Sequence, residues 1–64
     1  MNNNRRKETI YRQMNNAKTR NQLQRVWAAV INGNDGFDRY DIAYFRNCHD
    51  INLERLLRSE AARN

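Results

Sequence analysis

No proline occurs anywhere in this 64-residue chain, and its only two glycines, Gly33 and Gly36, sit within one short stretch, "NGNDG" at 32–36. Proline and glycine are the residues that most readily interrupt helices and permit sharp reversals. The segments on either side are therefore predicted to be helical and the stretch itself to be a turn. An acidic, glycine-bearing loop raises the question of a calcium-binding EF-hand. Placing Gly36 at the glycine position of such a loop leaves Gly33 and Ile31 where oxygen ligands belong, so this motif is excluded.

Periodicity divides the predicted helical segments. Ile10, Met14 and Ala17 recur at i, i+4, i+7 with Tyr11 beside them, which predicts a first helix over about residues 8–17. "NNAKT" ends it, and Thr19 is placed to cap the next helix. Leu23, Val26, Trp27, Val30 and Ile31 follow the i, i+3, i+4, i+7, i+8 pattern, predicting a second helix from Arg20 to about Ile31, with Trp27 as a core anchor. Asp38 is a favourable N-cap whose carboxylate complements the helix dipole, and nothing from Arg39 to Arg58 breaks a helix, so a long third helix is predicted there. The expected architecture is all-α. A disordered basic arm spans residues 1–7, a single three-helix domain spans 8–58 with its long helix C-terminal, and a frayed tail covers 59–64.

A chain this short buries little surface and often needs a staple or a partner. Cys48 is the only cysteine, so no disulfide forms within the chain; one thiol without a signal-peptide pattern fits a cytoplasmic setting. No apolar run has the length of a membrane span. The net charge of +5 is unevenly spread. Residues 1–34 hold Arg5, Arg6, Lys7, Arg12, Lys18, Arg20 and Arg25 against Glu8 alone, whereas residues 35–64 hold five cations against six acids. A basic half suits a polyanion, foremost nucleic acid, and those seven cations are the candidate phosphate contacts, sequence-independent in character. The nearly neutral half suits a different partner.

Catalytic chemistry finds no constellation. Cys48 and His49 are adjacent and so point in different directions on a helix, a poor geometry for a nucleophile and its base. No further His or Cys completes a metal site, and no glycine-rich loop cradles a phosphate. The spacing of Asp38 and Asp41 is that of a helix start. A non-enzymatic protein without cofactor or metal is expected.

The third helix is the informative one. On a helical wheel Tyr40, Tyr44, Cys48 and Ile51 cluster on one arc, and Ile42, Phe45, Leu53 and Leu56 on nearly the opposite arc, with Leu57 at its border. Two short helices cover one such face; the other is expected to be covered by another chain. Between the arcs runs a polar strip with Asn47, Asp50 and Glu54. The local role for Asp50 is an i, i+4 pair with Arg46, worth only a few tenths of a kcal/mol. Its functional role is an acidic edge beside an apolar patch, ready for a basic partner.

These residues carry a resemblance. "TIY" at 9–11, "TRNQLQRV" at 19–26 and "FDRYDIAYFRNCHDINLERL" at 37–56 are similar to the Hha/YmoA modulators of enterobacteria, which partner the nucleoid-structuring protein H-NS. Phe37, Asp41, Ile42, Ala43, Phe45, Asp50, Leu53 and Leu56 fall where that family has like residues, over roughly Thr9 to Leu56. The chain departs from the family at Ile51 and Asn52, which follow Asp50 where the family has His and Arg. It also carries Gln24 and Arg39 in place of acids and a longer loop around Gly33, and it lacks the family's closing Pro- and Trp-containing segment. The resemblance implies a small helical protein that binds the oligomerisation region of an H-NS-like partner and modulates transcription. It would lie at the nucleoid of a bacterium, as a remote relative of the family or a plasmid- or phage-borne analogue of it. Asp50 matches the family's partner-binding aspartate. The expected partner-binding set is Asp50, Glu54, Asp41, Tyr44 and Ile51. The alternatives are a homodimeric helical nucleic-acid-binding protein and a small inhibitor of a host protein.

Overall fold

The computed structural model describes residues 3–33 and 36–63. Among them are three helices and no strand: α1 over Asn3–Asn16, α2 over Arg20–Asn32 and α3 over Arg39–Arg63. The chain runs up α1, down α2 and up α3, so α1 and α3 are parallel. Lys7 meets Asp41 near one end of that pair, and Asn15 meets Asn52 farther along it.

Local chemistry sets the helix starts. Thr19 is the extended N-cap of α2, and its hydroxyl accepts a hydrogen bond from the Gln22 N–H at 3.1 Å. Gln22 reaches back, its Oε1 accepting from the Lys18 N–H at 2.7 Å. At α3 two aspartates cap reciprocally. Asp38 Oδ1 accepts from the Asp41 N–H at 2.9 Å, and Asp41 Oδ2 accepts from the Asp38 N–H at 3.4 Å. Both arrangements satisfy amide donors that a helix start leaves without partners. In the preceding connection Gly36 takes φ +75°, a left-handed conformation that costs a side-chain-bearing residue more than glycine.

Two boundaries differ from the prediction. Residues 3–7, expected to form a basic arm, are the opening turns of α1, while Met1 and Asn2 lie outside the described residues. Arg and Lys are good helix formers. Lys7 Nζ is tethered to Asp41 Oδ1 at 2.9 Å, which holds this end of α1 against α3. Residues 59–63, expected to fray, continue α3, and Asn64 lies outside the described residues. Ala61 and Ala62 favour the helix, and Glu60 is held by Arg20 Nε at 2.9 Å from the start of α2.

The core is small. Ile10, Met14 and Ala17 of α1, Leu23 and Val30 of α2, and Phe45 and Leu56 of α3 are buried. Phe45 is its hub: Tyr11 packs on it with ring centroids 4.9 Å apart, and Phe37 meets it edge-on at 5.0 Å. Trp27 is half-buried rather than central. It lies against the His49 imidazole with ring centroids 5.4 Å apart, and Ile31 at the end of its stripe is 54% exposed.

One polar residue, Asn52, is buried among these side chains. Its Nδ2 donates to Asn15 Oδ1 and to the Cys48 carbonyl, both at 2.9 Å, and its Oδ1 accepts from Arg55 Nε at 3.1 Å. Arg55 Nη2 in turn donates to the Ala17 carbonyl at 2.9 Å and the Asn15 carbonyl at 3.4 Å, satisfying acceptors at the end of α1. Asn52 and Arg55 thus fix how far α1 reaches along α3.

Candidate partner-binding face on the long helix

The arc of α3 holding Phe45 and Leu56 packs inward, with Ile42 and Leu53 half-buried beside it. The opposite arc is open. Tyr40 is 70%, Tyr44 66% and Ile51 61% exposed, along one stripe of a 25-residue helix. Isolated exposed apolar residues are ordinary; three large ones aligned on one helix face are the pattern of an interaction surface.

Cys48, expected on this open arc, turns instead toward α1. Its Sγ donates to Asn15 Oδ1 at 3.7 Å, and burial pushes the thiol above its ordinary value, opposed by the Asn52 hydrogen bond. The wheel places Cys48 at the edge of the arc, and α1 covers that edge.

The acids separate into two kinds. Asp50 and Glu54 stand beside the stripe, with side chains 62% and 64% exposed. The expected Arg46 pair of Asp50 is replaced by a contact between Asp50 Oδ1 and His49 Nδ1 at 3.0 Å. Glu54 Oε1 accepts from Arg58 Nη2 at 2.6 Å, one turn later. Asp41 is not part of this face. It caps α3 and pairs with Lys7, and the hydrogen bond from Lys7 holds its carboxyl below the usual carboxylate range. The structure therefore brings Tyr44, Asp50, Ile51 and Glu54 together and leaves Asp41 at the seam with α1. Asn47 is exposed on the same side, and a shallow depression lined by Arg39, Ile42, Ala43, Arg46, Asn47 and Asp50 flanks it.

The seven cations singled out in the sequence also divide. Lys7 is engaged with Asp41 and Arg20 with Glu60. Arg5 and Arg12 project from α1 two turns apart, on the side away from Ile10 and Met14; Lys18 lies in the turn, and Arg25 lies on the open side of α2. Arg6 is exposed near the start of α1. Sequence reasoning passed over Arg39 and Arg46, which are exposed on α3 with no ion pair among the described residues, because it assigned the basic function to the first half of the chain. It placed Tyr40 on this arc but left it out of the partner-binding set, and it passed over Arg58. The i+4 spacing of Arg58 from Glu54 was the signal.

Among the described residues no group of three or more His, Cys, Asp or Glu is placed to hold a metal ion, and no helix is long and apolar enough to cross a membrane. No family model, curated protein or solved structure matches the chain.

Proposed function

We propose that this chain is a non-enzymatic regulatory protein whose α3 docks an H-NS-like nucleoid protein, while cations of α1 and α2 contact DNA phosphates. The supporting observation is the exposure of Tyr40, Tyr44 and Ile51 in one stripe beside Asp50 and Glu54. An apolar stripe with an acidic margin suits a helical partner that carries basic residues beside its own apolar face. The match of Asp50 to the partner-binding aspartate of the Hha/YmoA family adds the identity of that partner. The accessible surface, 5215 Å² for 7.7 kDa, supports a docking role as well. A compact monomer of this mass exposes about 4,300 Å². In this reading the protein acts at the nucleoid and modulates transcription through its partner.

The test is a calorimetric titration with the N-terminal oligomerisation region of an H-NS-like protein. Asp50→Asn is expected to weaken binding roughly tenfold or more, because a charged contact is lost in a partly desolvated setting. The circular dichroism should be unchanged, since Asp50 supports no element other than its contact with His49. Binding by Asp50→Asn equal to wild type overturns the assignment of this face.

A further inference from the structure

The open face of α3 has an internal symmetry that the partner-binding reading does not use. Tyr40, Tyr44, Asn47, Ile51, Glu54 and Arg58 are all exposed, and their spacing alternates four and three residues. That is a period of 3.5, the seam of a helix pair. The seam is apolar at its N-terminal end and charged at its C-terminal end.

We infer that in the free protein this seam is occupied by a second copy of the same chain, packed antiparallel about a two-fold axis level with residue 49. In that register residue 40 faces residue 58, residue 44 faces 54, and residue 47 faces 51, so all six seam positions pair. The Arg58 guanidinium of one copy lies over the Tyr40 ring of the other, a cation–π contact. The Tyr44 hydroxyl donates to the Glu54 carboxylate of the second copy, a charge-assisted hydrogen bond. Asn47 sits against Ile51 at the centre. Symmetry makes each contact twice.

Charge decides the orientation. A parallel pair puts Glu54 against Glu54 and Arg58 against Arg58, like charges facing across the seam. The antiparallel pair removes both clashes and gives each charge a tyrosine. It also joins two copies of a +5 chain through a face where Glu54 balances Arg58. The seam runs from Tyr40 to Arg58, about 27 Å at 1.5 Å rise per residue. Such a contact is modest in area and polar at its ends, so the dimer is a weak, exchanging one.

The inference rests on the proposed docking role of α3 in one respect. Partner and second copy compete for Tyr44, Ile51 and Glu54, so partner binding exchanges a homodimer for a mixed complex.

Sedimentation equilibrium of the full chain over about 10 to 500 µM tests the dimer. A monomer–dimer equilibrium is expected. Ile51→Glu, at an exposed position, is expected to raise the dissociation constant roughly tenfold or more at unchanged helix content. For the orientation, two chains in a Cys48→Ser background, one with Tyr40→Cys and the other with Arg58→Cys, are mixed and mildly oxidised. The mixed disulfide is expected in preference to either homodisulfide. A monomer throughout the range, a dimer indifferent to Ile51→Glu, or preferred homodisulfides overturns the inference. Titration with the H-NS-like region keeps the two claims apart. Binding without self-association defeats only the dimer, and self-association without binding defeats only the partner assignment.

Discussion

Asn52 shows how much a single side chain can decide in a protein with so few buried groups. Stability of roughly 0.05–0.15 kcal/mol per residue leaves a 64-residue chain only a few kcal/mol above unfolding. Asn52 is buried and fully bonded to Asn15, the Cys48 carbonyl and Arg55. Truncation to alanine strips the partners of Asn15 and Arg55 in a part-buried setting, so Asn52→Ala should cost about 1–3 kcal/mol in urea unfolding. A second residue-scale prediction concerns pH. The Lys7 hydrogen bond holds Asp41 below its ordinary value of 3.8. A depressed carboxylate contributes stability above its unfolded value and loses it as pH falls through the folded one, so an acid limb opens below about 3.8. Lys7 is raised above 10.5 by the same bond, and burial raises Cys48 above 9.0. Both contribute fully below those values. Stability then falls as pH rises, first above about 9, where the unfolded chain ionises its thiol before the folded one does. Thermal unfolding against pH should show a plateau between these limbs. Asp41→Asn should lower the plateau and flatten the acid limb; Cys48→Ala should delay the alkaline one.

At the scale of elements, the two glycines of the α2–α3 connection make a direct comparison. Gly36 has φ +75° and open space where a Cβ would stand, whereas Gly33 has φ −82°. Gly36→Ala should therefore destabilise by about 1 kcal/mol through backbone strain alone, and Gly33→Ala should be neutral or stabilising by a few tenths, as judged by chemical denaturation. Features of this kind were legible in the sequence because they are local. The breaker-free segments, the caps at Thr19 and Asp38, and the two apolar arcs of α3 each depend only on residues within one segment of the chain. What was not legible depends on contacts between residues far apart in the chain. Cys48 leaves the open arc because Asn15 of α1 covers it, and α1 starts early because Lys7 finds Asp41. Arg55 reads in sequence as one more surface cation; only the fold brings the end of α1 beneath it. Asp41 was grouped with the partner-binding acids for the same reason, since its spacing from Asp50 says nothing about Lys7.

For the whole molecule, the question is where a polyanion would lie. Seven of the eight charged residues in residues 1–34 are cations, yet the fold engages Lys7 and Arg20 with acids of α3. Arg5, Arg12, Lys18 and Arg25 remain exposed on α1, the turn and α2 without an ion pair among the described residues. On α3, Arg58 is exposed too, but Glu54 holds it at 2.6 Å on the seam face. If DNA phosphates are contacted from the α1 and α2 side, the two sets of arginines must differ in salt dependence. Each phosphate contact contributes about 0.9 to the slope of log K against log salt for duplex DNA, through counterion release. Arg12→Gln should therefore reduce that slope by about one for a duplex of arbitrary sequence, with affinity falling alike on all sequences. Arg58→Gln should leave the slope unchanged, because its charge is already balanced and lies on the other side. Fluorescence anisotropy across a salt series reads both. Equal slopes for wild type and Arg12→Gln would remove α1 from the contact, and a reduced slope for Arg58→Gln would move the phosphates to the long helix. That second outcome sets DNA against the protein partner for one surface, whereas the expected one lets a single small chain hold both at once.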